Sequence, residues 1–362
     1  VTYSAIAEQP KHRRIYEDLR RRVIARDPGS RLDSIRTLMR SFAVSQVTIT
    51  KALEALRNDG LLDNRPGAPI TVTAEVLKYR ADAKPVFAMV TPNWASASFS
   101  RVESEFLQRQ EADGFIGEVI RFPWQDDVIR KLPPQKFDGL IIMPSANLLT
   151  VEQIRILNSF ALPYVIFGQQ LRNLDVSAVY SNNEFSAAQV ADHFIKLGHR
   201  KVALMVTEPR IENIEDRISG FCNYCKLNAC QVETIDCQVA NGEDAVSKTY
   251  HVMQELLQRG RLPFTALMTI SEAPCLAVLR ACHEHGIRIP EELSVASIGN
   301  SENSEFYYPS LTTVASDHGA EIARALQALH QLRGYPAGKR PIIKACIETR
   351  LLVRRSSGVC CE

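Results

Sequence analysis

The stretch Leu32-Asp33-Ser34-Ile35-Arg36-Thr37-Leu38, with Val44-Ser45-Gln46-Val47-Thr48-Ile49-Thr50-Lys51-Ala52-Leu53-Glu54-Ala55-Leu56 after it, decides how the amino-terminal part of this chain folds. Ser34 stands where it N-caps a helix running to about Phe42, with Ile35, Leu38 and Phe42 turned inward. Ser45 stands likewise before the next helix, which runs to Asp59 and is ended by Gly60. Ile49, Ala52, Leu53 and Leu56 fall at i, i+3, i+4 and i+7 and mark its buried stripe. The opposite face carries Val47, Thr50, Lys51 and Glu54, flanked by Gln46 and Thr48. It is short, mostly uncharged and rich in hydrogen-bonding groups, so it suits base edges and thymine methyl groups better than a protein core.

Upstream, residues 15–26 read as a first helix with Ile15, Leu19, Val23 and Ile24 on one face, stopped by Asp27-Pro28-Gly29. Downstream, Leu61 to Val72 reads as two short strands around a Pro/Gly turn. Three helices closed by a hairpin make a winged helix-turn-helix, assigned to residues 1–73. Residues 74–84 form a polar linker without core periodicity. Charge follows the same division: residues 10–73 hold 13 Lys/Arg against 7 Asp/Glu, a balance of +6, while the remainder holds 30 against 34, a balance of −4. A basic head on a mildly acidic body points to a polyanion that the head alone meets. Arg20, Arg22 and Arg36 are its expected phosphate contacts.

From residue 85 short apolar runs alternate with helical patterns. Strands are expected at Val86–Thr91, Gly139–Met143, Tyr164–Gly168, Lys201–Val206, Thr265–Ile270 and Leu293–Ile298, with helices between them. Such alternation predicts an α/β body over residues 85–353, with two doubly wound parallel sheets side by side and a cleft between them. The expected partition gives lobe 1 about 85–175 and 312–335, lobe 2 about 178–308 and 340–353, and a tail over 354–362.

An apolar share of 45% and a charged share of 23% are those of a soluble globular protein. No stretch reaches the ~18 apolar residues needed to span a bilayer, and Lys11-His12-Arg13-Arg14 is followed by polar sequence instead of a signal-peptide core, so no membrane partner and a cytoplasmic location are expected. The chain has nine cysteines. Cys222-Asn223-Tyr224-Cys225 has metal-like spacing, with Cys230 and Cys237 downstream, but no second C-x-x-C follows and the segment also reads as an amphipathic helix, so reduced thiols and no metal are expected. Cys360 and Cys361 are expected to be exposed. There is no G-x-G-x-x-G, no G-x-x-x-x-G-K-S/T, no G-x-S-x-G and no H-E-x-x-H, so no cofactor is expected and the chain reads as a non-enzyme.

Residues 15–72 resemble the GntR-type winged helix. Pro28-Gly29-Ser30-Arg31-Leu32, Ser34-Ile35-Arg36-Thr37-Leu38, Val44-Ser45-Gln46-Val47-Thr48-Ile49 and Ala52-Leu53-Glu54-Ala55-Leu56 stand where that family has its recurring motifs. Residues 85–353 resemble the LacI-type effector domain, related to periplasmic sugar-binding proteins, through four segments. These are Leu197-Gly198-His199-Arg200-Lys201-Val202-Ala203, Arg217-Ile218-Ser219-Gly220-Phe221, Gly286-Ile287-Arg288-Ile289-Pro290-Glu291-Glu292-Leu293-Ser294-Val295 and Leu311-Thr312-Thr313-Val314. The order of the two parts is similar to that of arabinose-repressor-like fusions.

The resemblance implies a homodimeric regulator of transcription, a repressor, with a double-stranded, near-palindromic DNA operator and a small-molecule effector, a carbohydrate or sugar-like compound, as partners. Carried over by position, Arg36 meets phosphate or base, Ser45, Gln46, Thr48, Thr50 and Lys51 work the major groove, and Arg65 and Gly67 of the wing touch the minor groove. Gln46 and Thr50 stand where the family often has Arg, which lowers affinity for guanine and implies a different operator. Gly67-Ala68-Pro69-Ile70 replaces the usual Gly-x-Gly-Thr of the wing, and Pro69 lacks an N–H donor. For the effector, the resemblance points to the loop Asn93-Trp94-Ala95-Ser96-Ala97-Ser98-Phe99, and within it to Asn93, Trp94, Ser96 and Phe99. It also points to Arg217, Glu272 and Asn300. Bland alternatives stand beside these: Arg217 pairing with Glu215 or Asp216 at the surface, Trp94 and Phe99 as core, Glu272 and Asn300 as helix caps. Two rivals from other classes are a cytoplasmic solute-binding module without a DNA role and a carbohydrate-modifying enzyme.

Overall fold

The computed structural model describes residues 11–24, 28–63, 69–76, 84–93, 96–144, 149–299 and 303–360. The head is built from α1 (Lys11–Ile24), α2 (Ile35–Phe42), α3 (Gln46–Asn58) and a hairpin of β1 (Leu62–Asp63) and β2 (Thr71–Val72). Leu62 pairs with Val72 and Asp63 with Thr71, antiparallel. Leu19, Val23, Leu38, Ile49, Leu53, Leu56 and Leu61 fill the space between these elements, so each helix contributes the stripe its periodicity marks. Ser34 caps α2 by accepting the Thr37 N–H at 3.2 Å. Gly60 follows α3, its N–H reaching Arg57 O at 2.8 Å.

The body carries two six-stranded sheets. The first contains β3 (Val86–Pro92), β4 (Ile116–Phe122), β5 (Gly139–Ile142), β6 (Tyr164–Phe167), β7 (Ala178–Ser181) and β13 (Lys344–Ile347), in the order β13-β7-β6-β5-β3-β4. The second contains β8 (Lys201–Val206), β9 (Gln231–Asp236), β10 (Ala266–Thr269), β11 (Ser294–Ile298), β12 (Thr312–Ser316) and β14 (Thr349–Leu352), in the order β14-β12-β11-β10-β8-β9. Helices intervene: α4 (Ala97–Gln108), α5 (Val128–Lys131), α6 (Val151–Ser159), α7 (Asn183–Lys196), α8 (Glu212–Leu227), α9 (Ala245–Gln258), α10 (Cys275–Glu284) and α11 (His318–Arg333).

Strand β8 shows why the second sheet is covered on both faces. Val202, Leu204 and Val206 pack with α7 and α8 on one side, while Ala203 and Met205 pack with α9 and α10 on the other. Its continuous apolar run is the pattern of a strand buried twice over. The sheet is not wholly parallel, however, because β14 runs antiparallel to β12.

The expected partition of the lobes needs correction at three places. Ala178–Ser181 and Lys344–Ile347 pair in the first sheet, and Thr312–Ser316 in the second. The chain therefore crosses between lobes after β7, after β12 and between β13 and β14. Crossing segments are extended on both sides, so neither period nor composition changes there, and only pairing assigns them. Residues beyond Val353 are also held: Ser356 is fully buried, the Val295 N–H donates to its carbonyl at 2.7 Å, and the Cys360 N–H reaches Leu197 O at 2.8 Å. Cys360 is half-buried against the expected exposure, because that strap lies along the sheet; Cys361 lies outside the described residues.

Candidate nucleic-acid interface and ligand cleft

In the head, Arg36, Ser45, Gln46 and Lys51 are exposed or nearly so, and Thr48 and Thr50 are half-buried. They stand on α2 and α3, around a shallow notch to which Arg36, Arg40 and Ser45 contribute. Neither Arg36 nor Lys51 has an ion-pair partner among the described residues, so both cations remain available to a phosphate. Val47 is 64% exposed on the same helix, an apolar group presented to solvent where a thymine methyl would meet it. Ser45 occupies the N-cap position of α3, but its hydroxyl bonds Thr48 Oγ1 at 3.0 Å and caps no backbone N–H. Arg65 and Gly67 lie outside the described residues. Arg22 does not fit the role of a phosphate contact: Asp18 holds it at 2.7 Å and it stacks over the Phe42 ring at 4.9 Å.

In the body, ligand positions are sought at the carboxyl ends of parallel strands. On lobe 1 the end of β3 leads to Asn93, which is exposed, and then to Ser96 and Phe99, both half-buried at the start of α4; Trp94 lies outside the described residues. On lobe 2 the ends of β8 and β10 bring together Glu208, Ser271, Glu272 and Arg217 of α8. Arg217 is not tied to its acidic neighbours in sequence. Arg210 pairs with Glu215 at 2.6 Å and Arg172 with Asp216 at 2.7 Å. Arg217 instead donates Nε to Asn183 Oδ1 and Nη1 to Ile270 O, each at 2.8 Å. Desolvation pulls its guanidinium down to about 10, and the charge of Glu208 works the other way. At that value it is still a full cation at neutral pH.

Glu208 accepts from Ser271 Oγ at 2.6 Å. Burial raises its carboxyl above the usual range, opposed by the Ser271 bond and the charge of Arg217. Glu272 is buried and accepts from Ser304 Oγ at 2.6 Å. Gly299 must be glycine here: it sits at φ +117°, and a Cβ would stand 3.1 Å from that of Glu272. Asn300 lies outside the described residues. Sequence reasoning missed Glu208, Ser271 and the pairing of Asn183 with Arg217, although Glu208 follows a strand end by two residues and the strand-end rule reaches it.

A further polar chain stands where the lobes cross. Ser181 Oγ donates to Glu321 and lies 3.3 Å from Ser316 Oγ; His318 bonds Glu321 Oε2 at 2.8 Å and Ser98 Oγ at 3.2 Å. Two crossing segments and the helices α4 and α11 are thus joined through one buried carboxylate, Glu321.

A basic, polar-faced winged helix and a two-lobed body with charged groups at its strand ends define a class: a winged-helix head joined to a two-lobed α/β body. Comparison with known proteins places both parts. Residues 11–72 match the gntR family of bacterial regulatory proteins, and residues 191–357 match the periplasmic binding protein-like domain. The head is therefore similar to the gntR family, and the body is similar to periplasmic binding protein-like domains and shares its fold with LacI family regulators. Among curated relatives, a PurR transcriptional repressor of Vibrio atlanticus is 27% identical over 52% of this chain and 56% of its own, and the catabolite control protein A of Staphylococcus aureus is 24% identical over the same shares. The chain thus spans about half the length of the curated relatives it matches. Among solved structures, a LacI family regulator from Enterococcus faecium with bound ribose has a TM-score of 0.65 at 20% identity, covering 76% of this chain and 99% of its own. The lac repressor dimer bound to operator and an anti-inducer has 0.66 at 20% identity, covering 79% and 99%. These likenesses establish the body's fold.

Proposed function

We propose that this protein is a cytoplasmic, ligand-responsive repressor of transcription and not an enzyme. Two heads of a homodimer grip a near-palindromic operator. Arg36 and Lys51 meet phosphate or base, Ser45, Gln46, Thr48 and Thr50 read the major groove, and the wing with Arg65 and Gly67 adds minor-groove contact. A carbohydrate or sugar-like effector enters the cleft of the body, held by Asn93, Trp94, Ser96 and Phe99 from lobe 1 and by Arg217, Glu272 and Asn300 from lobe 2. Its closure resets the heads through residues 74–84. Exposed Leu276, Phe306 and Tyr308 are offered as dimer-facing groups; Tyr308 is 95% exposed, an unusual position for a bare aromatic ring.

The single observation that carries this reading is the occurrence in one chain of an exposed polar face on α3 and a two-lobed body whose strand ends hold Arg217, a desolvated cation with one edge open. The test is fluorescence anisotropy of duplex DNA from the chain's own upstream region. Binding that collapses in about 0.5 M salt supports it, because phosphate contacts release counterions. Absence of binding to that DNA refutes it.

A further inference from the structure

Arg217 and Glu208 are held by neighbouring residues of one segment. Ile270 O accepts from Arg217 Nη1 at 2.8 Å, and Ser271 Oγ donates to Glu208 Oε1 at 2.6 Å. No ion pair joins the two side chains, though each feels the other's charge. Among the described residues, Arg217 Nη2 and Glu208 Oε2 carry no hydrogen bond, and neither is a sealed-off buried atom. A cation and a carboxyl therefore stand side by side at the strand ends, each with one edge open.

We infer that Glu208 sets the charge selectivity of the cleft: with Arg217 it forms a neutral, two-sided subsite that admits uncharged polyhydroxyl ligands and rejects ligands bearing phosphate or carboxylate. This rests on the reading of the cleft as an effector site and narrows the class of effector. A hydroxyl both accepts and donates, so a pair of hydroxyls satisfies Nη2 and Oε2 together. An ionised phosphate oxygen only accepts; the anion suits Arg217 but brings its negative charge against that of Glu208. An ammonium fails in the opposite sense, since Arg217 repels it. Burial makes the discrimination sharper, because charges in a desolvated site are poorly screened.

The experiment uses the full chain and inorganic phosphate as probe, read by calorimetry at low ionic strength. Glu208→Gln keeps an acceptor for Ser271 but removes the negative charge, and phosphate affinity is expected to rise at least tenfold over the parent. The gain is expected to vanish in the double variant Glu208→Gln with Arg217→Met, which ties it to this subsite. Glu208→Ala serves as a second variant if the first lowers the melting temperature. Equal phosphate affinity in parent and variant, including no binding by either, overturns the inference. Failure of the cleft reading is separate: it shows as a response to neutral sugars such as D-ribose that Arg217→Ala leaves unchanged.

Discussion

Trp124, in the loop after β4, lies against Gly242, in the loop after β9: a Cβ added at Gly242 would stand 3.1 Å from the indole Cζ2. β4 and β9 are the edge strands of the two sheets, so this is a contact from lobe to lobe. Gly242 also sits at φ +87°, where a side chain is strained by about 1–2 kcal/mol. Gly242→Val is expected to hold the lobes apart at this edge and weaken effector binding about tenfold, with DNA binding by the free protein retained. Calorimetry with the effector found by thermal-shift screening checks this; unchanged affinity means the contact does not belong to the ligand-closed state.

Gly220 is a close approach of α8 to α7. A Cβ there would fall 2.0 Å from the backbone oxygen of Glu184, which cannot be absorbed by a side-chain shift. Gly220→Ala is expected to destabilise the body by about 1–3 kcal/mol. It should also displace Arg217, one turn earlier on α8, and so blunt the effector response. Urea unfolding of the variant beside the parent measures the first effect.

His199 is buried between Thr265 Oγ1, at 2.8 Å from Nδ1, and Ser294 Oγ and Gly358 O, each at 3.1 Å from Nε2. Burial lowers its pKa below the ordinary 6.5, with the Gly358 carbonyl opposing. Nearby His193 is lowered by burial and by His199. Below that ordinary value the unfolded chain binds more protons than the folded one, so the contribution is complete above about pH 6.5 and is lost as pH falls through the lower, folded value. One such histidine accounts for a slope of at most about 1.4 kcal/mol per pH unit. Denaturation midpoints at about pH 7.5 and about pH 5.5 should differ less in His199→Gln than in the parent; an equal difference would place the titration elsewhere.

Arg36→Ala and Lys51→Ala are expected to weaken operator binding by about 1–3 kcal/mol each and to leave effector affinity unchanged. A gel-shift titration and calorimetry on the same preparations separate the two outcomes. Retention of full operator affinity by both variants would remove α2 and α3 from the interface.

Much of the fold is readable from residues because burial imposes pattern. The stripe Ile49, Ala52, Leu53 and Leu56 and the run Val202–Val206 each meet a core that demands apolar groups at those spacings. Edge strands escape such reading. In β4 and β9 most side chains are exposed or half-buried, so Ile116–Phe122 and Gln231–Asp236 present no continuous apolar run. The exchange of β7, β12 and β13 between lobes is equally illegible, since it depends on pairing partners far away in sequence. At the cleft, Arg217 is marked by the residues after it, whereas Glu208 and Asn183 gain their meaning only from what stands beside them in space.

Coupling between the head's grip on DNA and the body's cleft underlies every functional expectation above. It is measured by anisotropy as the operator affinity of the full chain, with and without saturating effector, across a salt series. Nanomolar-range binding with a log–log salt slope of roughly −5 is expected, together with a change of roughly 5–150-fold on adding effector. The same affinity with and without effector, at every salt concentration, would contradict the coupling.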